Sequence, residues 1–201
     1  AEAGHPLVVP PYGADEVVDA LDALLSTHVT MGQRCRAFER QWAAYCGREH
    51  GVMVNSGSSA VLLMLAALVQ TGKLSLGDEV LCPAVTWATS LFPIVQAGLV
   101  PVMVDVDPRT LCIDPESARA ARSPRTRAVL AVHLLGQPAE VDAFDDLLVL
   151  EDACGAHGAT YRGARVGGLG LAASFSFFFS HHITTIEGGM ICTDSDELND
   201  L

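Results

Sequence analysis

Apolar positions recur at spacings of three and four through residues 15–25. They do so again through 35–45, where Phe38 and Trp42 share one side, and this period predicts two amphipathic helices. Beyond residue 48 the pattern changes to short β-rich runs alternating with helical ones. Residues 51–54, 79–82, 100–104, 128–133, 147–150 and 174–178 read as strands, and 187–192 as a further one. Such alternation implies βαβ crossovers and a mainly parallel sheet with flanking helices, an α/β fold. The chain divides into an N-terminal helical segment, 1–48, led by a Pro-rich stretch over 6–11, and an α/β domain over 49–201. One connection is out of step. The stretch from Gly136 to the strand at Leu147 is short for a helical crossover of a dozen or more residues, so a trimmed helix or an irregular link is expected there.

Half of the 201 residues are apolar, enough for one sizeable core. A net charge of −12 argues against a nucleic-acid surface, which needs clustered Lys and Arg, and reads as an acidic surface that favours solubility. The longest apolar run, 60–69, is too short to cross a bilayer and lacks the charged flank of a signal peptide, so a soluble cytoplasmic protein with no membrane partner is expected. Six cysteines (35, 46, 82, 112, 154 and 192) lie scattered without a CxxC pair. That spacing predicts reduced, mostly buried thiols.

In an open parallel sheet the ligand crevice lies beyond the carboxyl ends of the strands, and the candidate residues fall there. Asn55-Ser56-Gly57-Ser58-Ser59-Ala60 joins a strand to a strongly apolar helix; free N–H groups and small hydroxyls at a helix start suit an anion such as phosphate. The same residues also suit an ordinary cap with a tight glycine turn. Trp87 follows a strand, and its spacing alone makes it a core residue. Glu151-Asp152 ends a buried strand in two carboxylates, a common turn-forming pair. His157 reads as a hydrogen-bonded structural histidine. The adjacent His181 and His182 would point to opposite faces of a strand, with no cysteine or carboxylate at helical spacing to join them, so no metal is expected.

The string Ser180-His181-His182-Ile183-Thr184-Thr185-Ile186-Glu187-Gly188-Gly189 resembles the DegT/DnrJ/EryC1/StrS group of pyridoxal-phosphate enzymes that act on nucleotide sugars. Likeness extends to Thr30-Met31-Gly32, the Gly57 turn, Gly77-Asp78-Glu79-Val80, 83–89, Val104-Asp105-Val106-Asp107, His133-Leu134-Leu135-Gly136 and Glu151-Asp152. In place of the family's Schiff-base lysine stands His181. An imidazole forms no stable imine, but it titrates near neutrality and suits proton transfer. Among relatives, this exchange together with Thr30-Met31-Gly32 and Trp87 most resembles the 3-dehydratases of 4-keto-6-deoxyhexoses.

What the resemblance implies is specific. The fold would be the large domain of a fold type I, aspartate aminotransferase-like protein, with a smaller C-terminal domain beyond Leu201 and a homodimer sharing its active sites. The cofactor would be pyridoxamine 5'-phosphate or pyridoxal 5'-phosphate. Gly57 and Ser58 would hold its phosphate, helped by Ser176 and Asn55; Trp87 would stack on its ring, Asp152 would pair with its pyridine nitrogen, and His181 would be the catalytic base. The substrate would be a nucleotide-linked 4-keto-6-deoxyhexose, with the cofactor recycled by glutamate or by a reductase and a [2Fe-2S] centre. Cys154 lies where relatives of both kinds carry cysteine, and no cluster is expected in these residues. Gly155 departs from the Gln or Glu often found there, which leaves the ring hydroxyl unassigned. Two other functions remain open: a sugar aminotransferase whose lysine has drifted, and a non-catalytic cofactor-binding or interaction protein with an uncovered apolar patch.

Overall fold

In the computed structural model, residues 12–201 are described, and the Pro-rich 6–11 stretch lies outside them. Two helices lead, α1 (Ala14–Leu25) and α2 (Gln33–Cys46). There follow β1 (His50–Val54), α3 (Gly57–Gln70), β2 (Glu79–Pro83), α4 (Ala88–Gln96), β3 (Val100–Val104), α5 (Pro115–Ala121), β4 (Thr126–Val132) and β5 (Leu148–Asp152). The small hairpin β6 (Thr160–Tyr161) and β7 (Ala164–Arg165), then β8 (Ala172–Ser176), β9 (Gly189–Thr193) and α6 (Asp196–Asn199) complete the chain. Seven strands form one sheet in the order β1-β9-β8-β5-β4-β2-β3. Six point one way, and β9 alone runs antiparallel to its neighbours β1 and β8.

The sheet is buried on both faces, as parallel sheets are. Along β4, Ala128 and Leu130 pack with the apolar α3 (Val61, Met64, Leu65, Leu68), while Val129 and Ala131 pack on the other face with Phe144 and Ile113. Helix α2 brings Trp42 and Cys46 into one cluster with Phe175, Phe177 and Met190, so residues 33–46 share their core with the sheet. Gly47 ends that helix at φ 77° while Arg48 N–H reaches back to the Ala43 carbonyl, the closing turn that glycine permits. By contrast, α1 buries no residue and leaves Val17, Val18, Leu21, Leu24 and Leu25 exposed.

Two strand positions differ from expectation. β5 runs on through Glu151 and Asp152, pairing with Ala131 and Val132 of β4, so the two carboxylates belong to the sheet rather than to a turn after it. β8 starts and stops two residues earlier than the aromatic run suggests, because Phe177 leaves the ladder after a last bond to the Gly188 carbonyl. Between β4 and β5 the crossover is irregular, built from two short 3-10 turns over Leu134–Gly136 and Val141–Phe144.

Candidate active site

The carboxyl ends of β1, β2, β5 and β8 surround one cavity of about 650 Å³. Gly57, Ser58, Trp87, Asp152, Ser176 and His181 all line it, although they come from four separate strand ends. Asn55 is exposed and lies outside the lining.

At the start of α3, the Ser56 hydroxyl accepts from Ser59 N–H at 3.1 Å, leaving Gly57 and Ser58 in the first turn, whose N–H groups have no intrahelical partner. Gly57 is required there. A Cβ on it would lie 2.7 Å from both Cys154 Sγ and Ser176 Cβ, and the Ser176 hydroxyl faces the same spot. Small residues therefore converge on a positive helix end with room for an anion.

Across the cavity Asp152 is buried, yet two donors hold it, one of them backed by a third hydroxyl. Ser90 Oγ donates to its Oδ2 at 2.6 Å, Thr86 Oγ1 donates to Ser90 at 2.8 Å, and Cys154 N–H reaches Oδ1 at 3.2 Å. The neighbouring thiols stay protonated: burial and the Asp152 charge push Cys82 up to about 12 and Cys154 well above the usual range. Trp87 caps α4 and is 77% exposed, so it is no core residue; four residues past the end of β2 it stands on the cavity rim.

Glu151 points the other way, as alternation along a strand requires. Fully buried, it accepts from Gly167 N–H at 2.7 Å, Leu169 N–H at 2.8 Å, Gly170 N–H at 2.7 Å and His133 Nε2 at 3.0 Å. Because His133 Nδ1 accepts from Ala139 N–H, the ring proton is assigned to Nε2. Burial pushes the Glu151 carboxyl up, but these donors outweigh it and leave the pKa lowered. Only Asp152 of the pair is available to a ligand.

Beyond β8 the chain makes a closed loop. Phe177 N–H bonds to the Gly188 carbonyl at 2.8 Å, and Thr185 N–H and Thr184 Oγ1 both reach the Phe177 carbonyl, at 3.0 and 2.9 Å. This loop carries His181, half-buried, into the cavity lining. Its pKa is lowered by burial and by His182, with Asp152 opposing. His157 corrects the sequence reading: neither ring nitrogen has a hydrogen-bond partner among the described residues, although the ring packs on Trp42, Phe175 and Phe177.

Lys73 is the chain's single lysine. It lies past the far end of α3, paired with Glu197 at 2.8 Å and about 20 Å along the helix from Gly57. No side-chain amine of this chain lines the cavity.

The sheet order and the crevice at its carboxyl ends define an aspartate aminotransferase-like large domain of fold type I. The model of the DegT/DnrJ/EryC1/StrS aminotransferase family matches residues 11–201, and the chain belongs to that family. It is 43% identical over 193 residues to a GDP-4-keto-6-deoxy-D-mannose 3-dehydratase of Yersinia pseudotuberculosis, covering 92% of this chain and 49% of that protein. It is 41% identical over 190 residues to a GDP-perosamine synthase of Caulobacter vibrioides, covering 92% and 50%. The structure of the E. coli GDP-4-keto-6-deoxy-D-mannose-3-dehydratase with bound hydrated PLP superposes with a TM-score of 0.93 at 41% identity, over 98% of this chain and 52% of that one. The chain spans about half the length of the curated relatives it matches.

Proposed function

We propose that the intact protein removes the C3 hydroxyl of a nucleotide-linked 4-keto-6-deoxyhexose, using pyridoxamine 5'-phosphate. One observation carries this reading: the cavity offers a phosphate cradle, a buried carboxylate and an imidazole, but no amine from this chain. The residues fit the cofactor, since the Gly57 cradle is kept clear by the absence of a Cβ and Asp152 is held ready by Ser90.

When bound, the cofactor supplies a cationic ring that draws electrons from an adjacent carbon. Asp152 would keep its pyridine nitrogen protonated, the Gly57 and Ser58 N–H groups and the Ser176 hydroxyl would hold its phosphate, and Trp87 would cover its face. His181, with its lowered pKa, is neutral at pH 7 and free to accept a proton from the methylene carbon next to the cofactor amine. It then returns that proton to the C3 oxygen as it departs. Because an imidazole forms no imine, the cofactor stays free of covalent attachment to this residue.

The exposed surface supports an assembly. The apolar stripe of α1, with Trp87, Leu135 and Phe179 near the cavity mouth, calls for cover, and a homodimer together with a further domain supplies it. Glutamate serves as the donor for cofactor recycling in this reading, supported by a structurally similar GDP-4-keto-6-deoxymannose-3-dehydratase that holds a trapped PLP-glutamate geminal diamine. Among the described residues no helix is long and apolar enough to cross a membrane, in keeping with a cytoplasmic enzyme.

The test uses the intact protein with pyridoxamine 5'-phosphate, glutamate and GDP-4-keto-6-deoxymannose, followed by proton NMR. A methylene in place of the C3 carbinol is the expected product. An amino sugar with its C3 hydroxyl intact would contradict the reading.

A further inference from the structure

His157 is a buried imidazole that the chemistry above does not use. Its walls are Trp42 from α2, at 5.3 Å between ring centroids, and Phe177, at 5.4 Å. Neither ring nitrogen finds a partner, and a buried imidazole left with an idle donor and an idle acceptor requires an explanation. The titratable groups with rings against it are His181 and His182, with ring centroids at 5.8 and 6.5 Å; α2 presents the Trp42 ring.

Geometry separates the two neighbours. Two imidazoles joined by a straight N–H···N bond have centroids about 5.1 Å apart, from roughly 2.9 Å between nitrogens plus about 1.1 Å within each ring. His181 stands about 0.7 Å beyond that separation, a gap a small ring shift closes, whereas His182 is more than an ångström beyond it. The Ser176 carbonyl lies close enough to favour a proton on His157, though not at hydrogen-bonding geometry. An N–H turned toward that carbonyl leaves the other nitrogen's lone pair open.

We propose that His157 is a positioning residue for His181: when His181 takes up a proton at its cavity-facing nitrogen, its opposite N–H closes onto the open lone pair of His157. This rests on the reading of His181 as the base. The contact fixes which nitrogen of His181 faces the cavity and stabilises the imidazolium, as the acceptor behind a catalytic histidine does. His157 suits the task because it stays neutral: burial and the charge of His181 depress it to about 4, so it offers a lone pair instead of a competing positive charge. Asp152 on β5 also favours the imidazolium, and Glu187 lines the same cavity.

The experiment follows the His181 ring titration by NMR in the intact, histidine-labelled protein without cofactor or substrate. His157→Phe keeps the volume and removes the acceptor; the His181 pKa should fall by about one pH unit, a tenfold loss of proton affinity. His157→Gln, with an amide oxygen as acceptor, should recover most of it. With substrate, His157→Phe should lower kcat about tenfold at unchanged KM, its pH profile moving with the NMR value. An unchanged His181 titration in His157→Phe overturns the proposal. If that variant does not fold, the native protein decides: below the His181 pKa a slowly exchanging imidazole proton shared with His157 is expected, and its absence overturns the proposal equally. The titration needs no turnover, so missing dehydratase activity would count against the functional reading alone.

Discussion

Ser90 on α4 donates its hydroxyl proton to Oδ2 of Asp152 on β5 at 2.6 Å, joining two elements 62 residues apart at the floor of the cavity. The bond orients the carboxylate and aims its other oxygen. Ser90→Ala should weaken binding of pyridoxamine 5'-phosphate roughly tenfold, or about 1.5 kcal/mol, the worth of a hydrogen bond to a charged group. Fluorescence titration of cofactor into the intact protein measures this, and unchanged affinity would detach Asp152 from the cofactor.

Gly57 allows the closest approach in the cradle. A Cβ there meets Cys154 Sγ, in the turn after β5, and Ser176 Cβ, at the end of β8, both at 2.7 Å, so Gly57→Ala should cost about 1–3 kcal/mol of stability and most of the phosphate affinity. Thermal melts with and without cofactor separate the two effects. A variant as stable as the native protein that binds cofactor normally would show that the cradle yields.

Acid should destabilise the fold in a defined window. The folded pKa of His157 is depressed to about 4 from the ordinary 6.5, so its contribution is fully present above 6.5 and is lost as pH falls toward 4. The full span is worth about 3 kcal/mol. Glu151, also depressed, adds a loss only below its ordinary value of 4.5. Urea unfolding at stepped pH should show a smaller loss over this window in His157→Phe than in the native protein, because only the depressed His181 of this pair still titrates there. Equal slopes in both would place the acid-sensitive group elsewhere.

A second pH dependence is kinetic. His181 must be neutral to accept a proton, and its pKa lies below 6.5, so kcat/KM should rise with pH along a limb centred below 6.5. An ascending limb centred above 6.5 would assign the base to another group.

Much of this was legible in the sequence, for identifiable reasons. Gly57, Asp152, Ser176 and His181 follow or end apolar runs, and a parallel sheet gathers such ends into one crevice whatever the loop details. Trp87 misled because burial is read from residue type, whereas four residues of loop carry this ring clear of the apolar layer. Pairing of His133 with Glu151 spans 18 positions and depends on β4 lying beside β5, a register that no local pattern encodes. His157 looked like a satisfied structural residue because nothing in the sequence shows that its neighbours are aromatic rings and other histidines. The aromatic run over 175–179 hid the end of β8, since its apolar character continues past the last ladder pair at Ser176.

The central claim is that His181 works on a cofactor it does not bind covalently, and borohydride trapping tests it most directly. Intact protein is mixed with pyridoxal 5'-phosphate, reduced with borohydride and analysed by peptide mass. The native protein should carry no reduced adduct in the peptide spanning residue 181 or at any other residue of the cavity, while His181→Lys should gain one at position 181. A stoichiometric adduct on the native protein, or none on the lysine variant, would contradict the placement of this side chain over the cofactor.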